Sequence, residues 1–152
     1  MPAGLCCPAR EVLPPYPNRI PDSPYCPMPP SLTDTVGHDG RPTITIRIAG
    51  GREPLLCIVD TGFNGRIWVP DHLAAGPGFE SFGSEYVALA DGSVIAARVT
   101  TATVDWFGRI EAVSVIVGGT GEALLGTGML EGCRLQVDFV EGTVRIDRAA
   151  SG

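Results

Sequence analysis

Asp60, Thr61 and Gly62 follow the apolar run Leu55-Leu56-Cys57-Ile58-Val59 without a break, so a carboxylate, a hydroxyl and a glycine end what reads as a buried strand. A carboxylate in that position is expected to be partly desolvated, which raises its pKa and makes a shared or retained proton possible near neutral pH. Thr61 brings a hydroxyl able to hold a neighbouring main chain, and Gly62 lets a ligand or a second backbone approach closely. Taken alone the tripeptide is weak, because the same three residue types build ordinary turns. Of Asp34, Asp39, Asp91, Asp105 and Asp138, none ends an apolar strand before a loop of small residues, so none offers a matching carboxylate within the chain. Cys6, Cys7 and Cys26, with the isolated His38 and His72, lack the paired spacing of a metal site, and no metal or other cofactor is implied.

The elements that would position Asp60 are short and β-rich. "TITIRIAGG" alternates strictly, with Ile44, Ile46 and Ile48 on one face and a turn at Ala49-Gly50-Gly51-Arg52, and "PLLCIVD" follows as its partner. "RIWVP" reads as a strand stopped by Pro70, and "DHLAAG" as a helical turn between Asp71 and Gly76. "EYVALADGSVIAARVTTATVDW" is predicted to be a long hairpin with a tight two-residue turn at Asp91-Gly92. "IEAVSVIV" is a further strand, "EALLGTGMLEG" opens into a short helix, and "CRLQVDF" and "TVRID" form a closing hairpin around Glu141-Gly142. "GGTGEALLGTG" lacks the Lys-Ser/Thr of a phosphate loop and the glycine spacing of a dinucleotide fold. Trp68 and Trp106 are expected to pack in the core, and Cys57 and Cys133 to be reduced core residues.

Ten of the 14 prolines fall between Pro2 and Pro30, so residues 1–40 are expected to form a Pro-rich, disordered N-terminal tail ahead of a domain over residues 41–148. That tail is either without a catalytic role, a regulatory or cleavable leader, or outside the translated protein if translation starts at Met28. At 152 residues with 44% hydrophobic content, the chain can fill one core. All 11 of its basic residues are arginines, its net charge is −6, and no basic stripe offers itself to nucleic acid. No run approaches the roughly 18 apolar residues of a membrane span, and Met1–Pro8 is too short and proline-broken for a signal core, so a cytoplasmic protein without membrane contact is expected.

In order along the chain, "TITIRIAGG", "PLLCIVDTG", "VALADGSVIAARV", "ALLGTGML" and "RLQVDF" resemble the retropepsin-like aspartic proteases of clan AA, in their small single-domain prokaryotic branch. The resemblance spans about Pro42 to Phe139 and implies an all-β, acid-protease half-barrel with a flap hairpin and one short helix after the Leu-Leu-Gly element. It also implies an aspartic endopeptidase, a hydrolase whose two aspartates share a proton across a C2 homodimer and act on extended peptide or protein substrates. Asp60, Thr61 and Gly62 match the catalytic motif, and Phe63, Asn64, Gly65, Ala90, Asp91, Gly92 and Leu125 match substrate-binding positions. The alternative is a catalytically weak or inactive protein that keeps the fold for dimerisation or peptide binding.

Two departures stand out. Phe63 replaces the small Ala or Ser of most relatives, either narrowing the substrate pocket or packing on the core. The acid and arginine that viral members pair are Asn64 and Thr127 here, a pair that can exchange the ion pair for a hydrogen bond. The hairpin beyond Phe139 either joins a dimer sheet or folds on its own subunit.

Overall fold

Alternating apolar residues of period two set most of the strands, since each strand has one face toward a core and one toward solvent. The computed structural model describes residues 30–149 apart from Arg52, Ala90 and the side chains of Glu80, Ser81 and Phe82. Along the chain run β1 (Ser31–Thr35), β2 (Thr43–Ile48), β3 (Leu55–Val59), β4 (Ile67–Val69), β5 (Glu80–Ala88), β6 (Val94–Trp106), β7 (Arg109–Val117) and β8 (Ala123–Leu125). A 3-10 turn over Thr127–Met129 supplies the short helix after Leu-Leu-Gly, followed by β9 (Cys133–Asp138) and β10 (Thr143–Arg148).

Six strands form a closed barrel in the order β2-β3-β8-β4-β7-β6, with β6 pairing back to β2 through Arg47–Asp105 and Ile48–Val104. Closure leaves no open edge among those six, and β5 lies outside the ring on β6. Ile44, Ile46 and Ile48 point inward as their alternation requires, and meet Cys57, Val59, Val104, Val115 and Leu125. Each fully buried Ile or Val contributes roughly 1.5–3 kcal/mol through removal of apolar surface from water.

A second sheet, ordered β1-β10-β9, lays Val144 and Ile146 against the same core. Asp34 joins the two sheets by accepting the Thr45 N–H at 2.8 Å, and the Thr43 hydroxyl donates to the Thr35 carbonyl at 2.7 Å. β1 therefore lies inside the segment expected to be a tail: residues 31–35 are ordered by pairing with β10, and Leu32 packs on the core. Residues 1–29, with Cys6, Cys7, Cys26 and Met28, are outside the described residues.

Of two local expectations, one holds and one is corrected. "DHLAAG" does form the expected single turn, in which Leu73 and Ala74 both donate to the Pro70 carbonyl, and six residues ending at Gly76-Pro77 are too few to extend it into a helix. The β5–β6 connection is a wider loop than a two-residue turn: Leu89 N–H donates to Ser93 and Gly92 N–H to Leu89, with Gly92 at φ +83°. A three-residue loop with glycine in the left-handed region follows from that pairing. Within one chain, the hairpin past Phe139 sets β10 between β9 and β1, and β9 lies at the edge of that sheet among the described residues. Among the described residues, no helix is long and apolar enough to cross a membrane.

Both described cysteines are free; Cys57 is fully buried, and Cys133 is only partly so. Burial pushes the Cys57 thiol up to about 12, which leaves almost no thiolate at neutral pH. In the native protein at pH 8, Cys57 is expected to stay unlabelled by iodoacetamide while Cys133 reacts, as read by peptide-resolved mass spectrometry. Labelling of Cys57 at the rate of the unfolded chain would contradict the placement of β3.

Candidate active site

β3 ends at Val59 because Asp60 must turn. The Asp60 N–H still donates to the Leu125 carbonyl (3.0 Å), which carries the parallel β3–β8 pairing one step further. Its carbonyl then accepts from Phe63 N–H (3.2 Å), and its carboxylate Oδ1 from Gly62 N–H (2.9 Å). A carboxylate two residues before the N–H that it accepts is the ordinary Asx device for reversing a chain. It fixes the side chain by its own loop.

That loop is clamped from the other side by the residues after β8. Phe63 carbonyl accepts from Thr127 N–H (2.8 Å) and from the Thr127 hydroxyl (3.3 Å), Gly65 carbonyl from Gly128 N–H (3.1 Å), and Arg66 carbonyl accepts Gly126 N–H (2.9 Å). The exchange of an ion pair for an Asn64–Thr127 bond is thus corrected: Thr127 goes to the Phe63 backbone, and Asn64 is exposed. The Phe63 ring folds back over Gly65 and Gly126 and meets Trp68 edge to face, with ring centroids 6.3 Å apart at 83°. A side chain on either glycine would occupy the space of that ring. Phe63 therefore both packs on its own loop and lines the cleft.

The cleft is a cavity of about 610 Å3 whose walls include Asp60, Gly62 and Phe63 from the loop, Trp68 from β4, and Leu124 from β8. Opposite lie Val87 and Ala88 of β5, Leu89 of its turn and Ile95 of β6. These belong to an arm that leaves the barrel, since β6 pairs with β7 only from Arg98 onward while its first residues pair with β5 alone. At the arm's tip the Ser93 hydroxyl and N–H both donate to Asp91 Oδ1, at 2.6 and 2.8 Å, and hold that carboxyl below the usual carboxylate range. A depressed folded value means the staple contributes above the ordinary carboxylate pKa and is lost as pH falls through the lowered one.

Of the residues expected at a site, Asp60, Gly62 and Phe63 come together on the cleft. Thr61 is exposed beside it and has no hydrogen-bond partner among the described residues. Gly65 lies under the Phe63 ring, and Asp91 and Gly92 are at the exposed flap tip. Ala90 is outside the described residues. Leu125 is a correction: it is 0% exposed in the core, and Leu124 is the neighbour that faces the cleft. A strand turns successive side chains to opposite faces, so a one-residue error in register exchanges wall for core. Trp68, buried as expected, also forms cleft wall, and Leu124, Glu122 and the flap residues Val87 and Leu89 were not anticipated. Alternation back from the core-facing Leu125 is the signal that would have found Leu124 and Glu122.

Comparison with known proteins matches this architecture. No family model and no curated protein matches the sequence. Among solved structures, the chain is similar to a retropepsin-like aspartic protease from Rickettsia conorii, with a TM-score of 0.55 and 20% identity over 80% of this chain and 93% of that one. It is similar also to the EIAV protease complexed with the inhibitor HBY-793, with a TM-score of 0.54 and 19% identity over 64% of this chain and 92% of that one. The closed barrel, the Asp60 loop clamped by the segment after β8, and the projecting β5–β6 arm thus make up a retropepsin-like fold.

Proposed function

We propose that the protein is an aspartic endopeptidase whose active site is completed by a second copy of the same chain. One observation carries this reading: Asp60 lines the cavity shared with the flap, on a loop clamped from both sides, and among the described residues no other aspartate lines that cavity. The cavity's other carboxylate, Glu122, is paired with Arg41, so within one chain Asp60 has no partner with which to share a proton. Two copies of Asp60 across a C2 axis can share one, so that the ionised partner takes a proton from water while the protonated partner donates a hydrogen bond to the scissile carbonyl. The water oxygen then bonds to the carbonyl carbon, and the amide nitrogen leaves with a proton as the bond breaks. In such a dimer the outward Thr61 hydroxyl finds its partner in the opposing loop.

The surface at that end suits a second copy. β9 pairs only with β10 among the described residues, leaving an edge free, and the β9–β10 turn presents Phe139 and Val140, the latter 93% exposed. This turn is tied to the Asp60 strand through three bonds: Val36 N–H to Gly142, the Val36–Pro42 bridge, and Val59 N–H to Pro42. An extended peptide is the substrate that a cleft between a flap arm and a paired loop accommodates. A cytoplasmic location fits the free thiols of Cys57 and Cys133.

Incubation with a broad peptide library, with sedimentation in parallel, tests the proposal. Cleavage by a dimer is expected; a monomer at micromolar concentration would remove the mechanism. Binding without cleavage would mean that the fold is kept for peptide recognition.

A further inference from the structure

The cleft contains a second carboxylate, supplied by Glu122 in the turn before β8. Its orientation follows from alternation: Ala123 and Leu125 fill the core, so Glu122 and Leu124 face the cavity. Glu122 pairs with Arg41, and the same guanidinium also pairs with Asp39. One cation therefore serves two carboxylates, and the cluster keeps one uncompensated negative charge. Beside it the wall is formed by Gly119 and Thr120 and by the apolar side chains of Phe63, Trp68 and Leu124.

We propose that Glu122 makes this wall a subsite for a basic side chain, lysine or arginine, of the bound peptide; this deepens the peptidase reading and rests on it. The methylene stem of such a side chain lies along Trp68 and Leu124, and its charged head reaches the carboxylate. An acidic side chain in the same place meets a like charge. The Glu122 side chain is 55% exposed, so the discrimination is modest, roughly fivefold in kcat/KM or in affinity between a lysine and a glutamate peptide, and it weakens as salt is added.

The experiment uses three fluorogenic peptides that differ at one position beside the scissile bond, carrying leucine, lysine or glutamate. Wild type is expected to favour lysine over glutamate, and Glu122→Gln to bring the two within about twofold. Arg41→Gln, which removes the compensating charge, is expected to widen the preference. Equal use of lysine and glutamate peptides by wild type, or a preference that survives in Glu122→Gln, would overturn the proposal. Binding of the same peptides to Asp60→Asn protein, read by fluorescence anisotropy, separates the two readings. A lysine preference in binding without wild-type cleavage keeps the basic subsite and removes the peptidase; equal binding of both charged peptides removes the subsite.

Discussion

Gly126→Ala is expected to destabilise the protein by at least about 3 kcal/mol and to lower its melting temperature by about 10 °C, with loss of any activity. The added Cβ would meet the Phe63 ring at Cδ1 and the Phe63 carbonyl oxygen, each at 2.6 Å, and would come closer still to the Gly65 carbonyl. A flexible side chain can swing away from such a contact; these carbonyls cannot. Phe63 carbonyl is held by Thr127 and Gly65 carbonyl by Gly128, so relief requires the Asp60 loop to part from the segment after β8. Gly76→Ala is the control, since nothing lies within 4 Å of its added Cβ, and a change within about 0.5 kcal/mol is expected. A melting temperature for Gly126→Ala within 2 °C or so of wild type would show that the loop is not clamped as described.

Asp60→Asn is expected to leave the fold intact and to reduce peptide hydrolysis by at least about 10^3-fold. Asparagine has nearly the same shape, and its side-chain oxygen still accepts the Gly62 N–H, so the turn after β3 keeps its bond. What it loses is the ability to take a proton from water. Asp105→Asn is the matched control, because among the described residues the Asp105 carboxylate accepts only the Gly108 N–H in the β6–β7 turn, and its activity is expected to equal that of wild type. Equal hydrolysis by wild type and Asp60→Asn would remove Asp60 from the chemistry.

The barrel strands are legible in the sequence where burial on one face leaves an alternating record, as in Ile44-Ile46-Ile48, and where an acid interrupts an apolar run, as at Asp60. β1 is not, because "SLTDT" is mostly polar and owes its form to β10, more than a hundred residues away. Non-local pairing leaves no mark on a local pattern. Leu125 shows a finer failure: two adjacent leucines give no local sign of which faces the core, and the parallel register with β3 decides it. Glu122 sits in "GGTGEALLG", where glycines read as loop, and only folding carries it to the cleft that holds Asp60. In the sequence Phe63 reads as an intruder on the Asp60 loop. Its ring instead covers Gly65 and Gly126 and leaves the Asp60 carboxylate bonded to Gly62.

The central claim is that one active site needs two copies of Asp60. Wild type and Asp60→Asn protein, mixed in equal amounts and left to exchange subunits, test it through the peptide hydrolysis that remains. A shared dyad predicts about one quarter of the activity shown by the same total amount of wild type, because only wild-type pairs are competent. Retention of about one half would mean that each chain works alone, and would contradict the account.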